Sequence, residues 1–264
     1  MVKLNQYFLT FLIVAVIILA INYGVALSMH IIIARISDVG IYRVGYVALL
    51  VGIPTLIIVF GEAFIYTFIF RSIILGRGLG NARLILKHMS MALIPILVLI
   101  CPYFVTGVGG VVAEDMFYEA TVAIVTVWSA VLALFTFFVY PVYIPYTSFA
   151  VAACLDSKEL TCTYRSMHRF KQLVLNVIAT AIVTFIILSL IARILKTVAP
   201  ELDTPLLPIP QTSPYQPWKS TWVQLLGATQ LRYLNLVLDP INYILFAYIF
   251  KWLSRKKLKQ LISL

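Results

Sequence analysis

The sequence predicts an all-α, polytopic transmembrane bundle of six helices with both termini in the cytoplasm, and three observations carry that prediction. Hydrophobic residues fill 62% of the 264 positions and charged ones only 11%, against roughly half and about a quarter in soluble domains. The charges cluster, leaving apolar runs long enough to cross about 30 Å of hydrocarbon, which takes about 20 residues at 1.5 Å each. Finally, the basic residues segregate to alternate loops.

The first span is expected over residues 7–33. Its apolar character outlasts the roughly 7–15 residue core of a secretory signal, so it is read as a retained span. The second covers 44–70. The third, 89–112, is irregular because of Pro95, Pro102, Gly107, Gly109 and Gly110, which a span tolerates when neighbouring helices satisfy the freed backbone groups. The fourth starts near residue 120 and meets no charge before Asp156. As one straight helix that stretch would run about 54 Å, so a span over 120–140 is expected, kinked at Pro141 and Pro145 within YPVYIP. A short interfacial or kinked segment should follow. The fifth and sixth spans are 173–191 and 222–250.

All six spans belong to one integral membrane domain, with two appendages. Residues 197–220 carry Pro200, Pro205, Pro208, Pro210, Pro214 and Pro217, half of the chain's 12 prolines. They predict a stiff, extended outer loop, either a lid over the helix ends or a strap for a partner. Residues 251–264 form a basic amphipathic tail that lies on anionic headgroups or recruits a cytoplasmic partner.

With the N-terminus inside, the inner segments collect Lys3, then Arg71, Arg77, Arg83 and Lys87, then Lys158, Arg165, Arg169 and Lys171, then Lys251, Arg255, Lys256, Lys257 and Lys259. The outer segments collect Asp38, Glu114, Asp115, Glu119, Glu201 and Asp203. The net charge of +10 is therefore mostly a topology signal rather than a nucleic-acid footprint. The expected cytoplasmic basic surface consists of Arg71, Arg77, Arg83, Lys87, Arg165, Arg169, Lys171, Arg255, Lys256 and Lys257.

Catalytic signatures are not found. Neither His-Glu-x-x-His nor Gly-x-Ser-x-Gly occurs, and His30, His88 and His168 fall on different segments, so no enzyme, cofactor or metal is expected. Cys101 lies in a span while Cys154 and Cys162 flank an inner loop, a spacing that suggests neither a disulfide framework nor a metal site. Gly76, Gly78 and Gly80 lack the strand–turn–helix context and the Lys-Ser/Thr pair of a phosphate cradle. They predict a flexible link into an amphipathic inner helix with basic residues facing headgroups.

The polar residues inside the spans carry more. In IIVFGEAFIYTFIF, Glu62 is the one charge in an apolar run, and a mid-span carboxylate costs about 2.5–3.5 kcal/mol on insertion scales, so it should face inward, neutralise or pair. By residue count Glu62 lies about 12 Å, and Asp239 about 17 Å, above the inner boundary, one layer for two acids. Arg232, Asn235, Asp239 and Asn242 recur at helical spacing as one polar stripe, beside Pro240. Thr55, Glu62 and Tyr66 share a face of the second span, Asn176, Thr180 and Thr184 one of the fifth, and Asn22 sits in the first. Arg232, about 27 Å up, is too high to reach Glu62. Two readings stay open. The stripe is interhelical glue, or Glu62, Tyr66, Arg232, Asn235, Asp239 and Asn242 line a polar path for a proton or cation.

The inner segment DSKELTCTYRSMHRFKQ, with Asp156 followed nine residues on by the Arg165–Ser166 pair, resembles the inner loop of YciC-like six-span bacterial membrane proteins and of the membrane domain attached to some glycerophosphodiester phosphodiesterases. GRGLGNARLILKHMSMALIPIL is similar to the other inner loop of that family, while the glycine that usually follows the acid is missing after Asp156. That resemblance implies architecture rather than an activity. In format, six spans with a basic inner face, the chain looks like the polytopic subunit of the archaeal DNA import system, the CedA type. That likeness implies a non-enzymatic, oligomeric subunit of an import apparatus, with other membrane subunits, a cytoplasmic motor ATPase and nucleic acid as cargo. The competing expectations are a membrane scaffold or lipid-surface protein and a small-solute or proton- or cation-coupled transporter.

Overall fold

The computed structural model of the chain describes residues 12–21, 24, 44–78, 82–112, 139–157, 159–204 and 233–262, with 123, 127, 128, 130, 131, 134 and 135. Asn22, Arg232, the outer acids Asp38, Glu114, Asp115 and Glu119, and most of the proline-rich loop lie outside these residues, as does the start of the expected sixth span. Among the described residues there is no strand. The helices are α1 (Leu12–Ile21), α2 (Val44–Ile69), α3 (Ala82–Ala92), α4 (Ile94–Val112), α5 (Tyr140–Cys154), α6 (Thr161–Phe170), α7 (Val174–Val198), α8 (Tyr233–Leu253) and α9 (Arg255–Ile262).

Two helical stretches are long and apolar enough to cross a bilayer, Thr55–Ile74 and Thr161–Val198, and the bent pair Arg83–Ala92 and Ile94–Pro102 is a third if it acts as one span. The second stretch shows what solvent its surface is built for. On α7 the buried residues are Val177, Thr180 and Thr184, whereas Leu175 and Phe185 are each 73% exposed. Its outward face is the more apolar one, the reverse of a helix on a water-soluble protein.

α2 lies at the centre, packed on α4 and α5, with α8 lying against both α2 and α7. α1 presents Val14 and Ile18 to this core. It approaches α2 closely because residue 61 is glycine: a Cβ there would run into the Ile21 side chain. α2 ends in a π-helical turn, Phe70–Ile74, and the chain leaves it through Gly76 at φ 63°, where a side chain would be strained.

The expected third span is broken. The Met89–Ala92 end belongs to α3, and the chain turns by 64° before α4. Pro95 is the cause: it has no N–H to give to the Met91 carbonyl, and it is well placed in the first turn of a new helix. The amide of Ile96 bonds Leu93 instead, so two carbonyls lose their helical donors. Tyr164 Oη donates to Met91 O at 2.9 Å, and Tyr143 Oη to Ala92 O at 2.7 Å.

The short segment expected after residue 140 is a helix packed into the bundle. α5 opens with Pro141 in its first turn, contains Pro145, and buries Ile144, Pro145, Thr147, Ser148, Phe149, Ala150, Val151, Ala152 and Cys154. Helices press on it from several sides, which Ser148, Ala150 and Ala152 allow because small side chains let backbones approach. α6 folds back beside α5 and carries Cys162 to within a Cα–Cα distance of 5.9 Å of Cys154, where the two form a disulfide. This corrects the expectation of unpaired cysteines, since their separation of 8 residues spans a tight helix–turn–helix rather than an open loop.

Removing a hydroxyl from the α3–α4 corner leaves a buried carbonyl unmet, which costs about 1–3 kcal/mol. Tyr143→Phe should lower the midpoint of unfolding in detergent micelles. Tyr164→Phe, whose hydrogen bond is exposed, should lower it less, because water replaces the donor. An unchanged midpoint in Tyr143→Phe would remove that account of the corner.

Candidate functional site

Within the bundle, α2, α5, α7 and α8 enclose a cavity of about 270 Å³ lined by residues including Glu62, Tyr66, Tyr140, Thr184, Asn242 and Phe246. Glu62 and Tyr66 are one turn apart on α2. Tyr140 is the first residue of α5, and the proline after it holds the helix entry where the ring reaches α2. Its Oη donates to Glu62 Oε2 at 2.9 Å. Tyr243, one turn beyond Asp239 on α8, brings its hydroxyl near the same carboxylate, and Asp239 lies near enough for its charge to act on Glu62. The two acids expected in one layer thus lie within electrostatic reach of each other.

The contact between α2 and α8 is aromatic. Tyr66 packs edge-on against Tyr243, with centroids 4.8 Å apart, and against Phe246 at 5.3 Å. Toward the inner end Phe70 meets Phe149 at 5.8 Å and Phe250 at 5.7 Å, and Phe149 meets Phe170 at 4.9 Å. Asp239, Tyr243, Phe246 and Phe250 recur at spacings of four, three and four, so one face of α8 changes from acid to rings as it runs inward.

α7 supplies Thr184, whose hydroxyl is buried and has no hydrogen-bond partner although its residue lines the cavity. The Thr180 hydroxyl is used at home, donating to Asn176 O at 2.6 Å. Asn176 reaches the far end of α8, donating to Ser254 Oγ at 2.9 Å and Leu253 O at 3.3 Å. Of the α7 stripe, Asn176 alone is seen to bond across to this end, and not to the polar stripe of α8. Of the expected path, Glu62, Tyr66 and Asn242 line the cavity and Asp239 stands beside it. The backbone of Asn235 is in α8, and Arg232 lies outside the described residues.

A second polar cluster closes the end of the bundle where α2 stops. Arg71, expected on the basic surface, is 5% exposed. Its guanidinium donates to Gly78 O, to Ala152 O at 3.3 Å and to Asp156 Oδ1 at 2.6 Å. Arg77 takes the other carboxylate oxygen at 2.6 Å. Arg71 is drawn inward because the π-helical turn and the α5 C-terminus leave carbonyls there that only a long, branched donor can reach. The described start of the link is thus tied down at Arg77 and Gly78. Asp156 thus pairs with Arg71 and Arg77, while Arg165 faces Glu159 at 3.6 Å in the open.

His88, on the buried face of α3, is 0% exposed. Its Nε2 donates to Ser157 O at 3.1 Å and its Nδ1 lies 2.8 Å from Thr163 Oγ1, so it pins the same turn. His168 is exposed. Arg83, Lys87, Arg165, Arg169, Lys171, Arg255 and Lys256 are exposed as expected, and Lys257 donates to Gln172 O at 3.2 Å. Sequence reasoning missed Tyr140, Tyr243 and His88 as partners. Tyr243 was accessible from its spacing to Asp239 and His88 from its place among Ile85, Met89 and Ala92. Tyr140 carried no local signal.

No family model matches the chain, and no curated protein or solved structure is similar to it.

The hydrogen bond from Arg71, with the charges of Arg71 and Arg77, holds the Asp156 carboxyl below the ordinary carboxylate range. A carboxyl lowered in this way contributes stability that is complete above its unfolded value of about 4 and is lost as pH falls through the lowered folded value. Asp156→Asn should therefore unfold earlier than the natural chain at neutral pH, and the gap should close below about pH 4. A gap of equal size in acid would show that the clasp does not depend on the ionised carboxylate.

Proposed function

We propose that the chain is the membrane-embedded part of a translocation apparatus, a six-span protein of the cytoplasmic membrane with both termini inside. In it, Glu62 and Asp239 form a site that takes up and releases a proton or a monovalent cation. The observation that carries this reading is the Glu62 carboxylate on a spanning helix, held by the Tyr140 hydroxyl beside Asp239 at a cavity. A carboxylate at this depth is costly and typical of ion and proton pathways. Two of them in one site repel when both are charged, and a shared proton or cation relieves the repulsion. The hydroxyls around Glu62 stabilise its charge when that proton or cation departs.

A second reading, a DNA import subunit driven by a separate motor ATPase, is favoured by one observation. The exposed Arg165, Arg169 and Lys171 at the end of α6 lie next to the basic helix α9, joined to it through Lys257 and Gln172. A continuous basic surface suits a polyanion, and on this reading its contacts are to phosphates.

In proteoliposomes with an imposed proton or sodium gradient, the natural chain should dissipate the gradient, and Glu62→Gln and Asp239→Asn should each slow this at least tenfold while eluting as the natural chain does on size exclusion. Flux unchanged in both amide variants would leave the polar residues as glue between helices. For the second reading, neutralising Arg165, Arg169 and Lys171 together should lower DNA uptake by cells without lowering protein abundance; uptake that holds at normal abundance would end it.

A further inference from the structure

We propose that the cavity binds a small organic ammonium ion, its charge met by the Glu62 carboxylate and by the rings of Tyr66, Tyr140, Phe185 and Phe246. This rests on the reading of Glu62 as a cation site and names the class of cation. Three features of the cavity point to it.

The first is charge. Glu62 lines the cavity and Asp239 acts on it, and no Lys, Arg or His is among the described residues of the wall. The complementary ligand is positive. The second is size and surface. A volume of about 270 Å³ is several times the roughly 30 Å³ that a water molecule takes in the liquid. A bare alkali ion would leave most of it to water, and much of the wall is apolar: Ile144, Pro145, Leu188, Phe185 and Phe246. Carbon around a positive nitrogen fills such a space, and aromatic faces attract ammonium groups through the ring quadrupole, best where water is excluded.

The third is an unmet polar group. Thr184 is 1% exposed, and its hydroxyl lacks a partner. Thr184 lines the cavity, and rotation of its side chain brings that hydroxyl to a polar substituent of the ligand. Phe185 and Pro141 are exposed while also lining the cavity, so the mouth opens on the side of the bundle between α5 and α7. A ligand that is part apolar can enter there from the bilayer.

Titration of the purified full chain in lipid nanodiscs with tetramethylammonium chloride, against sodium chloride at equal ionic strength, tests this by calorimetry. Saturable binding of tetramethylammonium is expected, with sodium at least tenfold weaker. Glu62→Gln should weaken it at least tenfold. Phe185→Leu, a change at an exposed position that leaves the packing intact, should weaken it about two- to fivefold, the equivalent of losing about 0.5–1 kcal/mol of cation–ring attraction. Absence of tetramethylammonium binding, in a chain whose gradient dissipation depends on Glu62, overturns the ammonium assignment and leaves the transport reading standing. Binding that neither substitution weakens overturns it too. Loss of both binding and Glu62-dependent flux overturns the two together.

Discussion

A helix that breaks inside a packed bundle must have its abandoned carbonyls met by other parts of the protein or, where they reach the surface, by solvent. Much of this structure follows from that requirement. Pro95 frees the carbonyls of the α3–α4 corner, and the Tyr143 and Tyr164 hydroxyls meet them. At the π-helical end of α2, Lys251 Nζ reaches Ile73 O at 2.6 Å, and Arg71 serves Gly78 and Ala152. Trp128 donates to Leu99 O at 2.6 Å, and the Tyr146 hydroxyl to Met167 O. Each donor sits on a different helix from the carbonyl it satisfies, or beyond a turn from it. The same bonds that repair the backbone therefore hold the helices in register.

The requirement also links the two polar clusters. Glu62 and Arg71 belong to one continuous helical stretch, about 13 Å apart along its axis at 1.5 Å per residue. Between them lie Tyr66 and Phe70, locked edge-on into rings from α5 and α8. Aromatic pairs of this kind add about 0.5–1.5 kcal/mol each beyond the area they bury. They form a dry layer that separates the cavity from the charged inner end. A rotation of α2 that re-aims Glu62 would have to disturb this layer and the Arg71 clasp as well.

The composition made the helical, membrane-embedded class legible, and so did the apolar runs over 44–70 and 173–191, because length and hydropathy are local properties. Residue counting also placed Glu62 and Asp239 in one layer, since helical rise converts sequence distance into depth. Contacts between helices followed no such local rule. The corner at Leu93 needed Pro95 to win over an apolar run, and the buried α5 needed neighbours on several sides. Arg71 reads locally as one more positive charge on an inner loop. Only Asp156, about 85 residues away in the chain, and the carbonyls around it turn that charge inward. The tyrosines were hardest to foresee, because a mid-chain Tyr in an apolar run looks like an interfacial anchor until its acceptor is known.

The bridge between Cys154 and Cys162 sets two compartment rules against each other. It lies at the end of the bundle that the arginines and lysines assign to the cytoplasm, where glutathione keeps most thiols reduced; intracellular proteins of hyperthermophiles are the exception. In a reducing cytosol the pair is two thiols beside the Ser166 hydroxyl, and the α5–α6 hairpin is held by non-covalent contacts such as Tyr146 to Met167 and Phe149 to Phe170. In an oxidising one the hairpin is covalently closed. The oxidation state of this one turn therefore reports the chemistry of the compartment it faces.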